Sequence, residues 1–143
     1  MTETIEIPRW FWRIAGLSLI WNLLGVGAFM AQMMTTPEMM AELPQAEQDL
    51  YNNTPMWATV AFAIAVFGGA LGSAALFIRK AFALVLFIIS LMAVAVQMFH
   101  SFFISNSFEV FGPGGLIMPV MVVTIAIALI GLANMAKTKQ WIS

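Results

Sequence analysis

Four long apolar runs, over 14–34, 56–78, 81–103 and 116–136, divide the chain, and no Asp, Glu, Lys or Arg interrupts any of them. Each is about 21 to 23 residues, enough for a helix rising about 1.5 Å per residue to cross a hydrocarbon layer near 30 Å. The polar positions collect between the runs instead of recurring through them, so the pattern predicts helices that are apolar on every side. The expected fold is an all-α integral membrane protein, a single domain over 1–143 built as a four-helix transmembrane bundle.

The connections set the order of the helices. Only Arg79 and Lys80 separate the second run from the third, which makes those two an antiparallel pair. The connection 104–115 ends in Phe111-Gly112-Pro113-Gly114-Gly115, glycine and proline punctuation that stops a helix and favours a tight turn. Up-down-up-down topology follows. The connection 35–55 is the one with room for structure of its own. Thr36 before Pro37 and Glu38 has the form of a helix start, with proline in the first turn and an acid near the positive end of the helix dipole. One or two short surface helices are expected here, broken near Pro44 and ending by Asn52 and Asn53. Met39, Met40, Leu43 and Leu50 would lie on the bundle, with Glu42, Gln45, Glu47 and Gln48 in water. Asn52-Asn53-Thr54 matches a glycosylation acceptor, a pattern common by chance.

Charge orients the bundle. All six basic residues (Arg9, Arg13, Arg79, Lys80, Lys137 and Lys139) lie in three short segments, which alternate with two loops carrying only acids: Glu38, Glu42, Glu47 and Asp49 in one, Glu109 in the other. Lys and Arg accumulate on cytoplasmic flanks, so both termini are expected in the cytoplasm and both acidic loops outside. Ala28 to Ala31 could pass for a signal-peptide cleavage site. However, the leader carries Glu3 and Glu6 beside its arginines, and the apolar run is longer than the 7 to 15 residues of a signal core, so the first span is expected to be retained.

Composition narrows the function classes. The chain is 62% hydrophobic and 9% charged, with a mean hydropathy of +0.92, far from soluble domains, in which roughly a quarter of residues are charged. A net charge of -1 with dispersed cations offers no face for nucleic acid. The absence of cysteine excludes disulfides, thiolate metal sites and thiol exchange. Trp10, Phe11, Trp12, Trp57 and Trp141 fall at the water boundaries, as interfacial aromatics do. Trp21 sits in mid-span beside Asn22.

In lipid, helices approach through small residues and bond through polar ones, so these mark the contact faces. Such a stripe is present in every span: Ser18, Asn22, Gly25 and Gln32 in the first, Ala61, Ala65, Gly68 and Gly72 in the second, Ser90, Ala93, Gln97 and Ser101 with His100 adjacent in the third, Thr124, Ala128 and Gly131 in the fourth. A tight bundle is expected. Asn22, Gln32, Gln97 and His100 are the candidate ligand-binding residues, converging on a small polar cavity open to the outer face. The competing reading is that they only bond helix to helix.

Methionine is the second unusual feature. Nine of the eleven after the initiator lie toward the outer side, and thioethers with one histidine suit Cu(I), so Met33, Met34, Met98 and His100 form a minor candidate metal set. The alternative is that methionine simply fills gaps between helices. A single histidine supplies one axial ligand, which disfavours haem, and no glycine-rich phosphate loop is present, so no cofactor is expected. His100 and Glu109 without a nucleophile or an orienting third group fall short of an enzyme site.

The segments Trp21-Asn22-Leu23-Leu24-Gly25-Val26, Pro55-Met56-Trp57-Ala58-Thr59 after Tyr51, Phe67-Gly68-Gly69-Ala70-Leu71-Gly72, Gln97-Met98-Phe99-His100 and Phe111-Gly112-Pro113-Gly114-Gly115 together resemble small bacterial four-span inner-membrane proteins, some loosely labelled "sugar transporter". The resemblance covers nearly the whole chain. It implies a bacterial inner-membrane location and brings no site residues with it. Two classes of function remain: a permease-like homo-oligomer binding or moving a small molecule, and a non-transporting scaffold or accessory subunit that binds a lipid, a quinone-like ligand or a partner protein. Proton-coupled antiport of the small multidrug type is disfavoured, because the first span lacks a carboxylate.

Overall fold

A computed structural model gives the fold and describes residues 6–104, 114 and 117–143. The described residues are helical without a strand: α1 (Arg9–Met33), α2 (Pro37–Ala41), α3 (Gln45–Asn52), α4 (Met56–Phe77), α5 (Ala83–Phe99) with a π-helical extension (His100–Ile104), and α6 (Ile117–Thr138). Four helices are long and apolar enough to cross a membrane. The glycine-proline turn after Phe111, the loop carboxylate Glu109 and the leader acid Glu3 lie outside the described residues.

Helix ends follow local chemistry more than hydropathy. α1 begins at Arg9, directly after Pro8, and not at the onset of the uncharged run at 14. Charge ends an apolar window without ending a helix, so Arg9 to Arg13 continue the same backbone hydrogen bonding. α2 starts as its sequence predicts: Thr36 caps it, its Oγ1 accepting from the Met39 amide at 3.2 Å, with Pro37 in the first turn. Pro44 separates α2 from α3, and α3 ends at Asn52. Met39 is exposed, whereas Leu50 is half-buried and turned toward the bundle.

α4 and α6 end by the same device. Beyond α4, Arg79 takes a left-handed backbone at φ 63°, its amide bonds the Leu76 carbonyl at 3.1 Å and the Lys80 amide reaches back to Ala75 at 2.8 Å. Beyond α6, Gln140 does the same at φ 62°, its amide bonding Lys137 and that of Trp141 bonding Ala136 at 2.8 Å. Both are Schellman closures with a side chain where glycine is usual.

The two closures dock on each other. The Arg79 Nε donates to the Trp141 carbonyl at 2.9 Å, the Ser143 amide to the Arg79 carbonyl at 3.1 Å, and the Ala81 amide to the Ser143 carbonyl at 3.1 Å. Trp141 is consequently buried, 6% exposed, edge-on to Phe11 at 5.4 Å and to Trp10 at 5.6 Å. This corrects its assignment as an interfacial anchor: the backbone turn after α6 folds the indole onto the bundle end. Phe11, Ala15, Ala75, Leu76, Ala83, Phe87, Leu129, Ala133, Ala136, Trp141 and Ile142 form the main core cluster. That cluster draws together the start of α1, the end of α4, the start of α5 and the end of α6, and with them all three basic segments.

Away from this cluster the packing runs in chain order, α1 on α4, α4 on α5 and α5 on α6, and α1 and α6 form no comparable interface. The small residues of α4 make the close approaches. A Cβ on Gly72 would stand 2.8 Å from the Phe87 ring of α5, one on Gly69 would overlap Asn22 of α1, and Gly68 faces Ser90. The stripe expected on the last span does not pack: Thr124, Ala128 and Gly131 are exposed, and a Cβ on Gly131 would meet nothing within 4 Å. α6 turns Val122, Ile125, Ala126 and Leu129 inward instead. Both sides of this helix are apolar, so small size alone does not choose the inner one; closure of Ala133 and Ala136 onto the core cluster does. α6 forms no comparable interface with α1, and the expected tight bundle contains a void.

Candidate functional site

The void is a central cavity of about 470 Å³ walled by all four long helices. α1 contributes Trp21, Asn22 and Gly25, α4 Phe62, Ala65 and Gly69, α5 Phe87, Ser90, Val94, Gln97 and Met98, and α6 Met118, Val122, Ile125, Ala126 and Leu129. Phe87 and Leu129 belong also to the core cluster, which closes the basic end. A second cavity of about 120 Å³ lies toward the acidic end, lined by Gln32, Leu50, Thr54, Ala58, Thr59 and His100. Phe62, Gln97 and Ser101 border both.

Three of the four candidate polar residues, Gln32, Gln97 and His100, meet at the cavity toward the acidic end, and Asn22 stands apart. Asn22 lines only the central cavity, Gln32 and His100 only the outer one, and Gln97 stands at the junction. Helical geometry accounts for the division. Asn22 and Gln32 are ten residues apart on α1, about 15 Å along the axis. Gln97, His100 and Ser101 share one face near the end of α5, where the π-helical segment begins. Such wide turns are frequent at functional sites.

Their hydrogen bonding differs as sharply. The Asn22 Nδ2 donates to the Ser18 carbonyl at 2.8 Å and to the Ser73 Oγ of α4 at 2.9 Å, so both amide hydrogens are taken and the group ties α1 to α4. Ser90 is engaged similarly, its Oγ donating to the Ala65 carbonyl at 2.6 Å. Among the described residues, the side chains of Gln32, Gln97 and His100 make no hydrogen bond, although the first two are half-buried and His100 is 6% exposed. His100 is held edge-on to Trp57 at 5.3 Å, which gives that indole a partner at the acidic end. Among the described residues no charged side chain lines either cavity.

The methionine set is dispersed. Met98 lines the central cavity and His100 the other one, while Met33 and Met34 line neither and are exposed at the end of α1. Among the described residues no three His, Cys, Asp or Glu side chains group as a metal site would require.

Sequence reasoning missed Ser73, fully buried as the partner of Asn22, and Thr54 and Thr59 on the outer wall. A signal for Ser73 exists: it follows Gly69 by one helical turn, on the face that glycine opens to α1. Trp21, unexplained by interface or lipid contact, finds its place on the cavity wall. No protein-family model, curated protein or solved structure matches the chain.

Proposed function

We propose that this chain is a multi-pass protein of the bacterial inner membrane, crossing it four times up-down-up-down with both termini cytoplasmic, and that its bundle binds a small molecule. Topology is supported by the meeting of the three basic segments at one end, the cytoplasmic one under the positive-inside rule. The bacterial location rests on the resemblance of its sequence segments.

One observation carries the binding reading. Gln97, with no side-chain hydrogen bond among the described residues, stands between a central apolar cavity large enough for a small ligand and an outer cavity edged by Gln32 and His100. Pockets of about 300 to 1,000 Å³ with a few convergent polar groups are the usual form of small-molecule sites. Asn22 supports the structural reading of intramembrane polar groups and Gln97 the functional one. The metal reading draws no support from the scattered thioethers.

A partner-binding role has an observation of its own. The outward Thr124, Ala128 and Gly131 leave α6 a face of small residues that a second copy or another membrane helix could approach closely. A permease-like path would use that face for a homo-oligomer.

Native mass spectrometry from mild detergent tests both. The expected result is a small molecule retained by the wild-type protein and lost from the His100→Ala, Gln97→Leu double variant with its subunit count unchanged. Identical retention in a folded double variant would leave the scaffold reading in its place.

A further inference from the structure

We infer that the two cavities form one divided site for an uncharged amphiphile with a single apolar body, the body in the central cavity and a hydrogen-bonding head at Gln97, facing Gln32 and His100. The inference rests on the small-molecule reading above and names the ligand class.

Three features of the walls select that class. First, the central cavity is lined mainly by aliphatic and aromatic side chains, and burying apolar ligand surface there is favourable without any specific partner. At about 470 Å³ it takes one chain or a substituted ring and is too small for a two-chain lipid. Second, its mid-wall polar groups are already engaged. Asn22 has committed both amide hydrogens and Ser90 its hydroxyl hydrogen, so this stretch offers no free amide or hydroxyl donor from either residue to the body of a ligand.

Third, hydrogen-bonding capacity is concentrated at one end. Gln97, Gln32 and His100 bring two amides and an imidazole to the outer cavity, with no protein partner for them among the described residues. An amide both donates and accepts, so a head such as a hydroxyl, ester or carboxamide can be matched there. An ionic head cannot be matched equally well. Among the described residues neither wall carries an Asp, Glu, Lys or Arg, and a charge brought into a low-dielectric site without a counter-ion is strongly disfavoured. Among the described residues the only titratable group on either wall is His100, and its ring is packed against Trp57.

Access suits a ligand arriving from the membrane. α1 and α6 both wall the central cavity but form no interface comparable to those of the other neighbouring long helices, which leaves a route between them to the surroundings of the bundle.

The test uses the full chain in nanodiscs with three probes sharing one chain length: monodecanoylglycerol (neutral head), decanoate (anionic) and decyltrimethylammonium (cationic), with bound probe counted by native mass spectrometry. One monodecanoylglycerol per chain is expected, retained at least about tenfold more tightly than either charged probe, the factor for leaving one buried polar or charged group unmatched. Gln97→Leu should erase that preference while the cavity still takes the chain. Ala126→Phe and, separately, Val122→Phe fill the central cavity and should remove all three probes, with thermal melting to show that each variant is folded. Equal or better retention of decanoate, or a preference unchanged by Gln97→Leu, overturns the neutral-amphiphile inference and leaves small-molecule binding standing. Failure to retain any probe, or retention unaffected by both filling variants, overturns both.

Discussion

The Asn22 amide of α1 donates to the Ser73 hydroxyl of α4 at 2.9 Å, in an approach that Gly69 permits by having no side chain. Helix-to-helix bonds in membranes contribute about 0.6 kcal/mol on average. Ser73→Ala should therefore lower stability by about that amount, and Asn22→Ala by somewhat more, since it also opens space beside Gly69. Reversible unfolding in mixed micelles measures both.

Glycine substitutions should sort by what a methyl group would meet. Gly69→Ala drives a Cβ into Asn22, and Gly72→Ala places one 2.8 Å from the Phe87 ring, so each should cost about 1 to 3 kcal/mol by overpacking. Gly27→Ala and Gly131→Ala meet nothing within 4 Å and should be neutral or stabilising by up to about 1 kcal/mol through helix propensity. A Gly131→Ala loss confined to the oligomer would identify that face as the contact between copies.

The two left-handed closures predict opposite outcomes for one kind of change. Gln140→Gly relieves a φ of 62° at an exposed side chain that makes no hydrogen bond among the described residues, and should raise stability by about 0.5 to 1 kcal/mol. Arg79→Gly relieves a φ of 63° but removes the Nε donor to Trp141, and should gain nothing or lose stability. Thermal melting of both variants, side by side, separates the backbone effect from the side-chain bond.

Sidedness is open to direct measurement because the chain has no cysteine of its own. A cysteine at Lys80 should be protected from an impermeant maleimide added to intact cells and labelled after lysis, whereas one at Glu47 should be labelled at once. Labelling of both from the same side would overturn the assignment of the acidic end as external.

Much of the architecture was legible before any coordinates. Uninterrupted apolar runs announced four long helices, Thr36-Pro37-Glu38 announced α2, and Pro44 divided it from α3. The candidate site was legible only in part. Gln97 and His100 stand out as polar groups in an apolar run, yet nothing in their spacing says that Gln97 borders both cavities and His100 only one. Trp141 resembled an interfacial anchor because its burial depends on a left-handed turn at Gln140, a residue that sequence preference would not choose for it.

By itself, the sequence determined which segments are helical and long enough to cross a membrane, and how charge is distributed over their ends, because these depend on hydropathy and length summed along the chain. Only the tertiary structure decided which side of each helix faces its neighbours. Both sides are apolar, so the choice falls to steric fit at a few points: Gly69 against Asn22, Gly72 against Phe87, and Phe11 against Trp141. On α6 the closure of Ala133 and Ala136 onto the core cluster left Thr124 and Gly131 outward, and a cavity lies where the stripe of small residues had promised contact.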